Sequence, residues 1–412
     1  MRWKSTRTPR KSSSQPLTNM APCGVMISAR PGKSWRMVLA WVGISALQVA
    51  PSDGQSVFAG TDGDGLYRSW DGGQNWTHSQ TGLTASSVTS LIVSPSDPSS
   101  YYVSLNGGSV MRSQDRGLSW SKFNTNLSDR VIHALVKHPV NNLLFALTES
   151  AGLFRCNLAN SNTRWEKIDL TTLGTVFPAP VHDDSRISES RETFLRLYDP
   201  TPATDTALAP GVSAPLLSMA FAPSDANIAY LGTNAAGVFK SLDGGNSWAP
   251  TSWINQKVWS IAIHPQNPNI IYATTDQPET IGASLDGGIT WQEIKLPGVS
   301  VNTLAIPPTQ ADFLLAGSSD GVYRRSDGVW TQIGLSGENV TALSIHPNRP
   351  EVFVAGTTNG AWISLDAGST WLPGPVELQG IPVSSISFSL HNPDLIFYNT
   401  LANGTLRIGF HH

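Results

Sequence analysis

The chain has 412 residues, a formal net charge of -3 and only 14% charged side chains, with 36 glycines and 28 prolines. That balance excludes the basic footprint of a nucleic-acid binder and fits an all-β chain of many short strands. Two cysteines, Cys23 and Cys156, are too few for a disulfide framework in a chain of this size, so both are read as free thiols.

Residues 1–22, with Arg2, Lys4, Arg7, Arg10 and Lys11 among serines, read as a disordered basic tail. The apolar run 37–47 is broken by Gly43 and Ser45. It falls short of the ~20 residues that span a bilayer. A signal-peptide core is the other reading of this run, so a cytoplasmic location is expected, with export as the alternative.

From residue 23 onward the chain repeats. The motif Ser-x-Asp-x-Gly-x-x-Trp is intact at Ser69-Asp71-Gly73-Trp76, Ser113-Asp115-Gly117-Trp120, Ser241-Asp243-Gly245-Trp248, Ser284-Asp286-Gly288-Trp291 and Ser364-Asp366-Gly368-Trp371. Ser28-Arg30-Gly32-Trp35 loses the Asp, Ser326-Asp327-Gly328-Trp330 is shortened, and Cys156 to Trp165 keeps little beyond the Trp. Successive copies start about 40–45 residues apart, the length of a four-stranded blade, except between Cys156 and Ser241. A second pattern runs in phase: a β-branched start, a small residue, an aliphatic alternation, then a Pro turn. It is clear from Val88, Val131, Leu216, Val258, Val301 and Val340, and looser over 43–51 and 383–393. A third, an aliphatic-aromatic strand followed by Gly-Thr, lies between the two, as in Val57-Phe-Ala-Gly-Thr61 and Val352-Phe-Val-Ala-Gly-Thr357.

Each unit therefore reads strand a, Pro turn, strand b, polar loop, strand c, Asp-Gly hairpin, strand d. The expected fold is a single β-propeller of about eight four-stranded blades, with seven as the alternative. It occupies residues 23–412 and carries a long insertion at 171–214 after the third blade. The N-terminal strand d is expected to pair with the C-terminal strands a to c and so hide the sheet edges. The stretch 23–28 looks like a spare c strand with no place in that scheme. In this topology the d–a and b–c loops share one rim, and the a–b turns and Asp hairpins share the other.

In the motif, Asp accepts backbone N–H groups, Gly supplies positive φ, and Trp packs between blades. Asp71, Asp115, Asp243, Asp286 and Asp366, with Trp76, Trp120, Trp248, Trp291 and Trp371, are structural on this reading. His138, His264 and His346 recur just before the turn proline. A blade apart, they cannot share a metal held at ~2 Å, so they are turn residues and no metal or cofactor is expected.

The boxes Ser69-Trp-Asp-Gly-Gly-Gln-Asn-Trp76 and Ser284-Leu-Asp-Gly-Gly-Ile-Thr-Trp291 resemble the bacterial neuraminidase (BNR, Asp-box) repeat. The form Gly-Val-Phe-Lys-Ser-Leu-Asp-Gly-Gly looks most like the sortilin-type and xyloglucanase-type propellers, and is similar to the propeller assembly factor of photosystem II. The resemblance covers nearly the whole chain and implies fold; the families share the box and do different things. The sialidase arginine triad has no counterpart here. The segment from Thr61 to Asp71 looks like the catalytic-base segment of the xyloglucanases, with Asp62 in the base position, but that family uses two propellers.

The expected binding rim carries Asp62, Asp64, Glu149, Asp276, Glu279, Asp320 and Glu338, with Arg130 and Lys257 for positive charge and Trp41 and Trp253 for stacking. Asp62, Asp64, Asp276 and Asp320 are the candidate catalytic acids, because glycoside hydrolysis needs two carboxylates ~5–10 Å apart. Trp259 and Trp362 fall inside strands and read as core. The first reading of function is a non-enzymatic scaffold for a protein or peptide, a monomer with no membrane span. The second is a glycoside hydrolase or carbohydrate-binding propeller.

Overall fold

The computed structural model describes residues 36–37, 43–50, 55–94, 97, 99–127, 131–159, 164–168, 170, 215–307, 313–388, 395–400 and 405–409. Cys23, Trp35, Trp41, Arg130 and the 171–214 insertion lie outside these residues.

Eight four-stranded antiparallel sheets form an eight-bladed propeller. The first strands of blades 1 to 8 are Ile44–Val49, Val88–Val93, Ile132–Lys137, Leu216–Ala222, Val258–Ile263, Val301–Ala305, Val340–His346 and Val383–Phe388. In blades 1 to 7 the four strands lie side by side in chain order. In blade 8 the outer place is taken by Arg36–Met37, paired antiparallel to Thr405–Gly409 with Arg36 opposite Arg407. First strands of successive blades face one another, and apolar clusters fill the seams. Phe58 and Leu66 pack with Val88 and Tyr101 between blades 1 and 2. Val49 and Val57 pack with Leu395 and Phe397 between blades 1 and 8.

The β-branched start of each strand a has a reason in the seam. A Cβ on Gly60 would sit 2.4 Å from Cγ1 of Val88, and one on Gly356 would sit 2.6 Å from Cγ1 of Val383. Gly232 and Gly317 face Val258 and Val340 in the same way. The valine of one blade thus enters a socket that only glycine leaves open on strand b of the blade before.

The Asp hairpins are closed rings of hydrogen bonds. Ser69 Oγ donates to Asp71 Oδ1 at 2.7 Å and accepts from Gly73 N–H at 2.8 Å, while Asn75 N–H reaches the same Oδ1 at 2.8 Å. The bonds repeat around Asp115, Asp243, Asp286 and Asp366. The Thr290 hydroxyl, then its N–H, draw the half-buried Asp286 carboxyl down to about 2. Burial raises Asp115, but the Ser119 hydroxyl and N–H outweigh it and leave that carboxyl at about 2. The turn needs two left-handed residues: Gly72 at φ 67 and Gly73 at φ 87, where blades 2 and 7 hold Arg116 and Ala367 at φ 57. The shortened copy is a two-residue turn, with Asp327 at φ 51 and Gly328 at φ 83 between the paired Ser326 and Val329, the type I′ geometry that Asp-Gly favours.

The tryptophans spend their indole N–H groups in two ways. Trp120 Nε1 donates to Ser79 Oγ and Trp371 Nε1 to the Ile333 carbonyl, both in the preceding blade and both at 3.0 Å. Trp76 and Trp248 instead donate to the carbonyls of Gly73 and Gly245 in their own hairpins. The recurrent histidines cap turns: His138 Nδ1 accepts from Val140 and Asn141 N–H, and His264 and His346 do the same two and three residues on.

Candidate functional site

Backbone hydrogen bonds bring the b–c loops and d–a segments to one rim. Asp62 N–H donates to the Gly43 carbonyl, Glu149 N–H to Val131, Asn234 N–H to Pro215, Ser319 N–H to Ser300 and Thr358 N–H to Asn339. Each pair joins a b–c loop to the segment that opens strand a of its own blade, so this rim rings the mouth of the central axis.

Asp62 and Asp64 share the b–c loop of blade 1, and the other candidate acids lie in blades 5 and 6. Asp62 is exposed and accepts from Ser87 Oγ at 2.7 Å. Asp64 accepts the Tyr67 hydroxyl and lies 4.0 Å from His78 Nε2. Burial, and then that bond to Asp64, push the Tyr67 phenol above its ordinary value. Asp320 accepts from Gly337 N–H and, at 3.4 Å, from Ser336 Oγ. Asp276 is half-buried in the b–c loop of blade 5, next to the exposed Glu279. Glu149 is half-buried in blade 3, and Glu338 closes a turn by donating its N–H to Leu335 and accepting from Gly321. Among the described residues, no group of three or more His, Cys, Asp or Glu is placed to hold a metal ion.

Trp253 corrects the stacking expectation. It is 8% exposed, and its indole stacks on Trp291 with centroids 4.6 Å apart and planes 18° from parallel. Gly282 leaves the room, since a Cβ there would meet the indole at 1.8 Å. Trp253 is therefore seam packing between blades 4 and 5.

The mouth has a feature that the motifs alone did not single out. Every first strand carries a bulge just after its opening residue. The bulged residues are Ser45, Thr89, His133, Leu217, Trp259, Asn302, Thr341 and Ser384. A bulge re-aims a side chain and is common beside functional sites. Five of the eight are small polar residues and are tied to backbone. Ser45 donates to the Val88 carbonyl, Thr89 to Ile132 at 3.0 Å, Asn302 to Val340 at 2.9 Å and Thr341 to Val383, each in the next blade. Ser384 donates to Asn399 at 3.1 Å within its own blade.

Blades 3, 4 and 5 break the series. His133 is 9% exposed, and its buried Nε2 has no hydrogen-bond partner. Burial lowers its pKa, which keeps the imidazole neutral near pH 7. Leu217 and Trp259 are half-buried, and Lys257 Nζ lies 4.0 Å from the centroid of the Trp259 ring, a cation–π pair. Trp259 is thus a mouth residue as well as a strand residue. Aligning the strand a patterns by their turn proline is the signal that finds these three positions.

No family model matches the chain, and no curated protein matches it. Solved structures do. A GH74 xyloglucanase from Xanthomonas campestris aligns over 91% of this chain and 53% of its own, at TM-score 0.50 and 14% identity. YCF48 bound to D1 peptide aligns over 95% and 100%, at TM-score 0.52 and 12% identity. The C-terminal WD40 domain of Sif2 aligns over 92% and 99%, at TM-score 0.61 and 9% identity. The chain spans about half the length of the xyloglucanases it matches. At these identities the likeness shows a β-propeller, a fold shared by enzymes and by non-enzymatic proteins.

Proposed function

We propose that this chain is a non-enzymatic binding propeller whose mouth, in the sector of blades 3 to 5, takes a protein or peptide segment. The observation that carries the reading is the break in the bulge series. Five blades consume the bulged side chain in a backbone bond, while His133, Leu217 and Trp259 leave an unfilled imidazole nitrogen, an aliphatic side chain and an indole beside Lys257. An apolar side chain of a partner would cover Leu217 and Trp259. Aromatic anchors ringed by polar groups are the usual form of such contacts. Asp62, Asp64 and Asp320 already accept hydrogen bonds from rim residues, which gives less support to a hydrolase. A propeller of the same fold is known bound to a peptide.

Two structural readings accompany this one. The five intact motifs are Asp-box repeats of the BNR type, and the ring is closed by the pairing of Arg36–Met37 with Thr405–Gly409. A chain lacking residues 1–40 tests the second: it should melt at lower temperature and less cooperatively, and an unchanged melt removes the closure.

The function is tested by panning a displayed peptide library against the full chain and against a Leu217→Ser, Trp259→Ser double variant. The reading expects peptides enriched on the first to bind the second at least tenfold more weakly. Equal binding to a folded double variant would refute it.

A further inference from the structure

On the opposite rim, strand c carries a cation immediately before the first residue of the hairpin motif in five blades: Arg68, Arg112, Arg155, Lys240 and Arg325. Three of these reach the next blade. Arg68 Nη1 lies 3.5 Å from the carbonyl of Arg116. Arg155 Nη1 donates to Asn246 Oδ1. Lys240 Nζ lies 3.5 Å from Asn269 Oδ1, close under the Gly287 turn. The cation of one blade thus latches onto the turns of its neighbour.

Arg112 faces blade 3, whose hairpin has Cys156 in place of the serine and lacks the Asp and Gly. Its Nε is buried without a hydrogen-bond partner, and among the described residues no carboxylate lies within ion-pairing distance of it. The guanidinium is backed by the rings of Phe123 at 5.6 Å and Tyr102 at 5.8 Å. Arg325 Nε is also unpartnered, but the blade beyond it keeps its motif. At Arg112 the altered turn coincides with a half-open cavity of about 220 Å³, lined with Ser94, Asp97, Ser100, Tyr102, Asn142 and Leu158. Asp97 in its wall is already engaged: it accepts from Ser99 N–H at 3.0 Å, from Ser99 Oγ at 2.6 Å and from Ser100 Oγ at 2.6 Å.

We propose that this cavity binds a small carboxylate, held by the terminal Nη groups of Arg112. The guanidinium fork matches a carboxylate with two parallel, charge-assisted bonds. A water occupies about 30 Å³ of liquid, so the volume admits a short mono- or dicarboxylic acid with a few waters. Leu158 in the lining covers its carbon chain. The cavity coincides with the hairpin motif that blade 3 has lost. It stands apart from the mouth, and its fate does not bear on the peptide reading.

The test is saturation-transfer NMR and calorimetric titration of the full chain with sodium acetate, malonate and succinate at constant ionic strength, with acetamide as the uncharged control. Saturable binding of at least one acid is expected, with none for acetamide. Arg112→Gln and Leu158→Trp, the first removing the charge and the second filling the cavity, should each weaken binding at least tenfold. Circular dichroism and a cooperative melt establish that each variant folds, and either folded variant suffices. The proposal is overturned if no acid binds the full chain, if acetamide binds as well as acetate, or if a folded variant binds undiminished.

Discussion

Around the mouth of this propeller the same backbone bulge occurs in all eight blades, yet it is used in two ways. In blades 1, 2, 6, 7 and 8 the bulged Ser, Thr or Asn is spent on a backbone carbonyl, four times across a seam. In blades 3 to 5 the same position holds His133, Leu217 and Trp259, and the seam forgoes that bond. A repeat protein thus contains its own controls. Where five copies of a position do one job and three do not, the departure can be weighed against the cost of losing the structural bond. Arg112, beside a hairpin that has lost its motif, repeats the lesson on the other rim.

The largest effect that would sharpen this comparison lies in the shared seams. Trp253→Ala removes a buried indole stacked on Trp291 and should cost about 3–5 kcal/mol in denaturant unfolding. A loss below about 1 kcal/mol would return Trp253 to the rim. Gly356→Val drives a side chain into Val383, and overpacking of that kind costs roughly 1–3 kcal/mol. The melting temperature should fall accordingly, and tolerance of the valine would break the socket account.

Acid should act next. Asp115 and Asp286 titrate at about 2 in the fold, below the ordinary carboxyl value of 3.8, and Asp71, Asp243 and Asp366 are lowered in the same direction. A depressed folded value contributes stability above the unfolded pKa, and that contribution is lost as pH falls through the folded one. Stability should therefore hold down to about pH 4 and decline from there toward pH 2. Asp286→Asn should flatten that decline. A fall centred well above pH 5 would assign acid unfolding to other groups.

The smallest effect separates the two uses of the bulge. Thr341→Val deletes one seam bond and should cost about 0.5–1.5 kcal/mol without touching the binding of a mouth ligand. Leu217→Ser should do the reverse, changing binding by tenfold or more and stability little. The same outcome for both variants would erase the distinction between tied and untied blades.

Much of the architecture was legible in the chain. The motif from Ser69 to Trp76 and the phase of strand a fixed the blades, because hairpin and seam each demand one residue type at one spacing. The sharing of one rim by b–c loops and d–a segments followed from strand order. The use of Trp253 was not legible. Its segment reads as an exposed loop, and only Gly282, far off in sequence, opens the slot that buries it. Nor were the roles of His133 and Arg112 visible, since an unfilled hydrogen bond is a fact of three-dimensional neighbours. The trace that the sequence did hold was the size of the residue six places before the turn proline in blades 3 to 5.

The central claim, that the untied sector is the binding face, is tested most directly by hydrogen exchange with and without a peptide selected on the full chain. Protection should rise in residues 131–137, 215–222 and 256–263 and stay unchanged in 340–346. Protection spread evenly over all eight first strands, or confined to the hairpin rim, would contradict it.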